Sequence, residues 1–276
     1  MRLLLAGIRK LVRRPATFVT FGLLVGLLAL IYIAVGATAK QAVAANPNTG
    51  RQALLLVTFP GAYTILLSFI LGLGGLFAMI YGAAIAGSEW SWGTLKAAVA
   101  RGESRSRYQL LSFVAIALMV LLGLLIAFVI GVGVTALSAS LAGVPLTGID
   151  DASTIGTIPE LLARGWLALG EAAALGYTIA TLARSQLAGI GVGIAVYFGE
   201  QFATIFLPDI IKYFPFNAAQ AVVETSGSFG RGGGDGGGGA GLAQLAPDTA
   251  LLVVAAWLIG ALVVTAIFTE RAEISG

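Results

Sequence analysis

The stretch GSEWSWGTLKAAVARGESRSR, residues 87–107, gathers Glu89, Trp90, Trp92, a Gly-Thr pair and four basic residues between two long apolar runs, 62–86 and 110–135. Each run exceeds the ~20 residues that a helix needs to cross a hydrocarbon core about 30 Å thick. Working outward, four further runs of this kind occur at 16–37, 158–183, 187–207 and 249–269. Of the 276 residues, 58% are hydrophobic and 11% charged, against roughly 25% charged in a soluble domain. The expected fold class is an all-α membrane protein with six transmembrane helices, and residues 87–107 are the polar turn between the second and third.

Residues 1–15, MRLLLAGIRKLVRRP, set Leu3, Leu4, Leu11 and Val12 against Arg9, Lys10, Arg13 and Arg14. This suits an amphipathic elbow helix on an anionic membrane surface. Its apolar core is broken and lacks a small-residue cleavage site, so it reads as a retained segment before a single six-span domain, 16–276. Between spans five and six, PDIIKYFPFNAAQAVVETSG is too polar to cross and is broken by Pro208 and Pro215. Short broken helices dipping into or capping the bundle are expected there. The Gly-rich stretch at about 225–242 reads as a flexible loop.

Charge placement sets the expected orientation. With the N-terminus cytoplasmic, eleven of the sixteen basic residues fall on the inner side, whereas the other side carries Asp150, Asp151, Asp209, Glu224 and Asp235. Both termini and residues 87–107 are therefore expected in the cytoplasm. In that setting Trp90 and Trp92 belong at headgroup level, where an indole buries its ring and wets its N–H. Thr94 suits a helix N-cap and Gly102 a C-terminal stop. On the intervening helix Leu95, Ala98 and Val99 share a face, with Lys96 and Arg101 elsewhere.

A span ending in Glu89, then Gly93-Thr94-Leu95, a short helix, and Ser104-Arg105 before the next span resembles the type-2 export permeases of ATP-binding cassette (ABC) transporters. With six spans and small outer loops, the chain is similar to their bacitracin-export and sodium-export branch. The likeness covers the whole chain in organisation and about twenty residues in motif. The lysine often found shortly after the Ser-Arg pair in that family is absent here, where YQLLSF follows. The resemblance implies that residues 89–101 form a coupling helix, with Glu89, Gly93, Thr94, Leu95, Lys96, Ala98, Val99 and Arg101 engaging a separate cytoplasmic ATPase. It further implies a second permease copy or paralogue as dimer partner, and a place in the cell membrane of a prokaryote.

No catalytic role is expected of this chain. A Walker A loop needs Gly-Lys-Ser/Thr to cradle phosphates, and none of Lys10, Lys40, Lys96 and Lys212 is followed by Ser or Thr. ATP and Mg would be bound by the partner ATPase, and no cofactor by this chain. Cysteine and histidine are absent, which removes thiol nucleophiles, imidazole bases and the usual zinc ligands. No metal site and no nucleic-acid partner are expected; membrane lipid is.

Two carboxyls stand apart. Glu171 and Glu200 fall roughly 18–20 Å along spans four and five, counting ~1.5 Å per residue. Charged groups at that depth are costly and mark transport paths by default. They suit a cavity for a cationic group, or hydrogen bonds to Tyr177, Tyr197, Gln201 or backbone. The alternative to an exporter is thus a proton- or sodium-coupled secondary transporter built on these two acids. Glu160 and Arg164, four apart, read as an ion pair, and the Gly22/Gly26 and Gly189/Gly193 spacings permit close helix approach.

Overall fold

The chain is seen in a computed structural model that describes residues 2–223 and 245–272. The Gly-rich stretch 225–242 lies outside the described residues. Among them the regular elements are all helical: α1 (Arg2–Val12), α2 (Pro15–Ala45), α3 (Pro47–Leu55), α4 (Ala62–Ser91), α5 (Thr94–Val99), α6 (Arg105–Ala142), α7 (Ala152–Ala183), α8 (Gln186–Phe206), α9 (Pro208–Ile211), α10 (Pro215–Ala221) and α11 (Pro247–Arg271). Six of these, α2, α4, α6, α7, α8 and α11, are long and apolar enough to cross a membrane. The protein is an all-α, multi-pass membrane protein.

The breaks between helices follow local chemistry. Proline stands in the first turn of α2, α9, α10 and α11, where a backbone N–H has no helical partner and its fixed φ suits entry. Gly143, at φ 75°, ends α6. Asp151 opens α7 by accepting from the Thr154 N–H at 2.9 Å. The Ser153 and Thr154 hydroxyls also donate to it, and together these bonds hold its carboxyl below the usual range. Between α7 and α8 only Arg184 and Ser185 intervene, with Arg184 left-handed at φ 52° and the Ser185 hydroxyl accepting from the Ala188 N–H. The polar segment ANPNTGRQ, residues 45–52, is mostly the short helix α3, folded back along α2.

At the centre stand α4 and α7, whose apolar windows are 56% and 67% buried, against 17–28% for α2, α8 and α11. Their pairing is the most extensive in the bundle and is made of small residues. A Cβ on Gly82 would run into the Ala173 carbonyl, and one on Gly176 into the Met79 carbonyl. On the other side α8 closes on α7 and α4 through Gly189, against Ala180, and Gly193, against Met79. Gly22 and Gly26 meet nothing within 4 Å and face outward on α2. Of the two small-residue spacings, therefore, one packs within the chain and the other does not.

α9 and α10 are the short broken helices expected between spans five and six. α10 packs against α4, α7, α8 and α11, with Phe216, Asn217 and Ala218 buried. At the same end Arg164 binds Glu160 at 2.8 Å, as the spacing indicates, and also Asp248 at 3.0 Å, which joins α7 to the start of α11.

Gly176→Leu is expected to destabilise the bundle by at least the ~1–3 kcal/mol typical of overpacking, because backbone rather than a flexible side chain stands in the way. Gly191→Ala, which meets open space, should leave stability unchanged. Thermal unfolding in detergent of the two variants beside wild type checks both.

Candidate functional site

The basic end of the bundle, where α1 lies, collects most of the sequence's motif residues. Four residues apart, Lys10 and Arg14 share a face of the N-terminal segment and point inward, while Arg9 and Arg13 are exposed. Lys10 Nζ lies 3.0 Å from Glu89 Oε1. The Tyr108 and Ser112 hydroxyls donate to the same oxygen at 3.4 and 3.3 Å. Arg14 donates to Ser88 Oγ at 2.6 Å, and its guanidinium lies 4.7 Å from the centre of the Trp92 ring. Burial lowers the pKa of Arg14, with Glu89 pulling the other way. Glu89 thus sits at the junction of α1, α4 and α6, and is only 3% exposed.

The turn itself departs from expectation in three respects. α4 continues through Ser91, so Glu89 and Trp90 belong to its last turn and α5 covers only Thr94–Val99. Thr94 is not the N-cap; it is the first helical residue, and its hydroxyl donates back to the Glu89 carbonyl at 3.2 Å. The α4–α5 corner needs Gly93 at φ 65°, a left-handed conformation open to a residue without Cβ, and α5 starts one position earlier than a Thr94 cap would set it. Trp90 is not at a wet headgroup position. Its ring lies beside both Arg184, 5.2 Å away, and Phe268, with the indole N–H buried and without a hydrogen-bond partner among the described residues. Trp92, by contrast, is 67% exposed, with the Arg14 guanidinium over its ring.

The face of α5 carrying Leu95 and Ala98 is also corrected. Both are 2% exposed and pack into the bundle, with Val99 half-buried, so this face holds α5 down and is not open to a partner. The outward surface of the turn is Ser91, Trp92, Ala97, Ala100 and Arg101. Gly93 and Thr94 are half-buried, and the Lys96 side chain lies outside the described residues. Gly102, at φ 87°, ends the turn as expected: its N–H bonds to the Val99 carbonyl and the Glu103 N–H to that of Ala98, the paired bonds of a Schellman motif. Arg105 donates to the Glu270 and Ala272 carbonyls at 3.2 and 2.8 Å, closing the C-terminal end of α11. A cation there satisfies orphan carbonyls and matches the helix dipole.

Mid-bundle, Glu171 and Glu200 lie within electrostatic reach of each other but differ in surroundings. Glu200 Oε2 accepts from the backbone N–H groups of Phe216 and Asn217 at 3.1 and 3.3 Å and from the Asn217 side chain at 3.2 Å. Its carboxyl thereby pins the first turn of α10 into the bundle. Glu171 is fully buried, and neither of its oxygens has a hydrogen-bond partner among the described residues. Tyr197 donates to the Gly72 carbonyl and Tyr177 to Gln109, so neither tyrosine serves Glu171. Among the described residues no cluster of three or more metal-ligating side chains occurs.

Sequence reasoning missed the Lys10–Glu89 pair and the Glu200–α10 contact. The i,i+4 placing of Lys10 and Arg14 was a usable signal for the first. Nothing local announces the second, whose partners lie sixteen and seventeen residues away beyond two helix breaks.

A family model described as a protein of unknown function, DUF2705, matches residues 43–230. The chain belongs to that family. The DUF2705 match takes in the 87–107 turn, Glu171 and Glu200, and leaves α1 with Lys10 and Arg14 outside it. Among curated proteins none matches the sequence.

Lys10→Met and Glu89→Gln are each expected to destabilise the fold, and a double-mutant cycle in detergent should return a coupling of about 1–2 kcal/mol. Replacing the unpartnered acid, Glu171→Leu, should instead stabilise by about 1–3 kcal/mol, since a buried polar group without a partner carries its full desolvation cost. Thermal unfolding reads both.

Proposed function

We propose that this chain is the permease subunit of an ATP-driven exporter, worked by a separate ATPase that grips the α4–α5 turn from the cytoplasm. One observation carries the reading: the segments flanking α5 present Trp92, Ala100 and Arg101 outward while Leu95, Ala98 and the Glu89 junction lock the inner side of the turn to the bundle. A load applied to the turn is therefore delivered to α1, α4 and α6 together, as a lever requires. A turn that served topology alone would need no half-buried ion pair beneath it.

ATP and Mg chemistry belongs to the partner, since no lysine of this chain stands in a phosphate-cradling loop. A second permease copy or paralogue would complete the path, and nucleotide-driven closure of the ATPases would reorient the halves. The excess of basic residues around α1 and the turn supports a cytoplasmic site for this end, with both termini there.

One observation favours ion-coupled secondary transport instead. Glu171 is an unpartnered carboxyl at mid-span, the kind of group that exchanges a proton or meets a cation. Against it, Glu200 is committed to α10, so the second acid of a coupling pair is already engaged.

An epitope-tagged chain, gently solubilised from its native membrane, should bring down an ATPase carrying a Walker motif. Trp92→Ala with Ala100→Glu, both on the outward surface, should reduce recovery at least tenfold with thermal stability preserved. If no ATPase accompanies the wild-type chain, and Glu171→Gln abolishes proton-driven uptake in proteoliposomes, the exporter reading fails and the ion-coupled one replaces it.

A further inference from the structure

Beneath α1, a cavity of about 430 Å³ opens between that helix, the end of α4, α5 and the start of α6. Its size falls in the range of small-molecule sites, about 300–1,000 Å³. Glu89 lines it, and while Oε1 gathers Lys10, Tyr108 and Ser112, Oε2 is buried and has no hydrogen-bond partner. A buried carboxylate oxygen without a donor is costly, so an occupant that brings an N–H or O–H group relieves it.

The other charged groups narrow the chemistry. Lys10, Arg101 and Glu103 line the same cavity; Glu103 is paired with Arg107 at 3.8 Å, and Arg101 spends its Nε–H on the Ala97 carbonyl. Two cations beside one unpartnered carboxylate oxygen suit a ligand with an anion and an ammonium a few bonds apart. The rest of the wall is largely apolar, with Leu11, Ile85 and Leu111, and Leu110 stands exposed next in sequence on α6. The site also lies under an amphipathic helix whose Arg9, with Arg13 just beyond its end, faces outward, the arrangement of a helix lying at headgroup depth.

We propose that this cavity binds a membrane phospholipid whose headgroup ends in a primary amine, the ammonium donating to Glu89 Oε2 and the phosphate held by Lys10 and Arg101. The acyl chains follow the exposed apolar flank of α6 into the bilayer. A choline headgroup does not replace it, because three methyl groups cover the nitrogen and leave no N–H to donate. The lipid acts as a filler between the elbow helix and the α5 turn, setting how firmly the two are joined. The proposal needs only the membrane placement of the bundle and stands apart from the exporter reading.

The test is a titration of delipidated protein in detergent, followed by native mass spectrometry, with ethanolamine and choline phospholipids of identical acyl chains. Wild type is expected to bind the ethanolamine lipid at least tenfold more tightly. Glu89→Gln should bring the two lipids to within about twofold. Ala97→Leu, which narrows the cavity from its exposed side and leaves Lys10 and Glu89 in place, should weaken the ethanolamine lipid at least fivefold. It keeps the test decisive if Glu89→Gln does not fold. Glycerophosphoethanolamine, the headgroup without chains, should bind far more weakly than the lipid. Equal binding of the two lipids by wild type, or a preference unaltered in both variants, overturns the proposal. A chainless headgroup binding as tightly as the lipid overturns its assignment to a membrane source.

Discussion

The contact of α4 with α7, backbone against backbone at Gly82 and Gly176, is the constraint from which the rest of the bundle is built. Lipid tails are as apolar as leucine, so burying an apolar face gains little there, and helices associate by close packing and by hydrogen bonds. Removing side chains where two helices cross lets their backbones meet over a long interface. The other spans are then arranged around this pair: α8 closes on it through Gly189 and Gly193, and α10 fills the gap left at the end remote from α1. α2, which closes on α6 through Gly36 against Ser138, and α11 remain mostly lipid-facing.

Polar groups are placed where that packing alone does not hold. Glu89 fastens the elbow helix to the end of α4, Glu200 fastens α10 inside the bundle, and Arg164 links α7 to α11. Arg105 and Arg184 do the same for the ends of α11 and α7, the first through carbonyls and the second through aromatic faces. All but Glu200, whose partners lie sixteen and seventeen residues on, join elements distant in sequence. Glu171 departs from this pattern, being buried without a hydrogen bond.

Much of this was readable in the sequence because membrane solvation is so restrictive. Six apolar runs of spanning length leave no competing fold, and prolines 208 and 215 mark two short helices. Local chemistry likewise gave Gly102 as a helix stop and Glu160–Arg164 as an ion pair. The failures have one cause. Assigning Thr94 as a cap, wetting Trp90 and turning Leu95 and Ala98 outward all treated the turn as an isolated interfacial loop. In the folded chain it is packed under α1 and against α6, and tertiary contact decides which face is inside. The roles of Glu200 and Lys10 depend on partners brought from far along the chain, which no local pattern records.

The spans differ greatly in length. At ~1.5 Å per residue, the 38 residues of α6 extend roughly 57 Å and the 21 residues of α8 roughly 32 Å, beside a hydrocarbon layer of about 30 Å. α8 is about as long as that layer is thick, whereas α6 exceeds it and must lean across it or project beyond. The protein therefore shows the bilayer unequal apolar heights around its perimeter. Thickening or thinning the membrane strains its α6 and α8 flanks differently, which makes its tilt a function of the lipid it lives in.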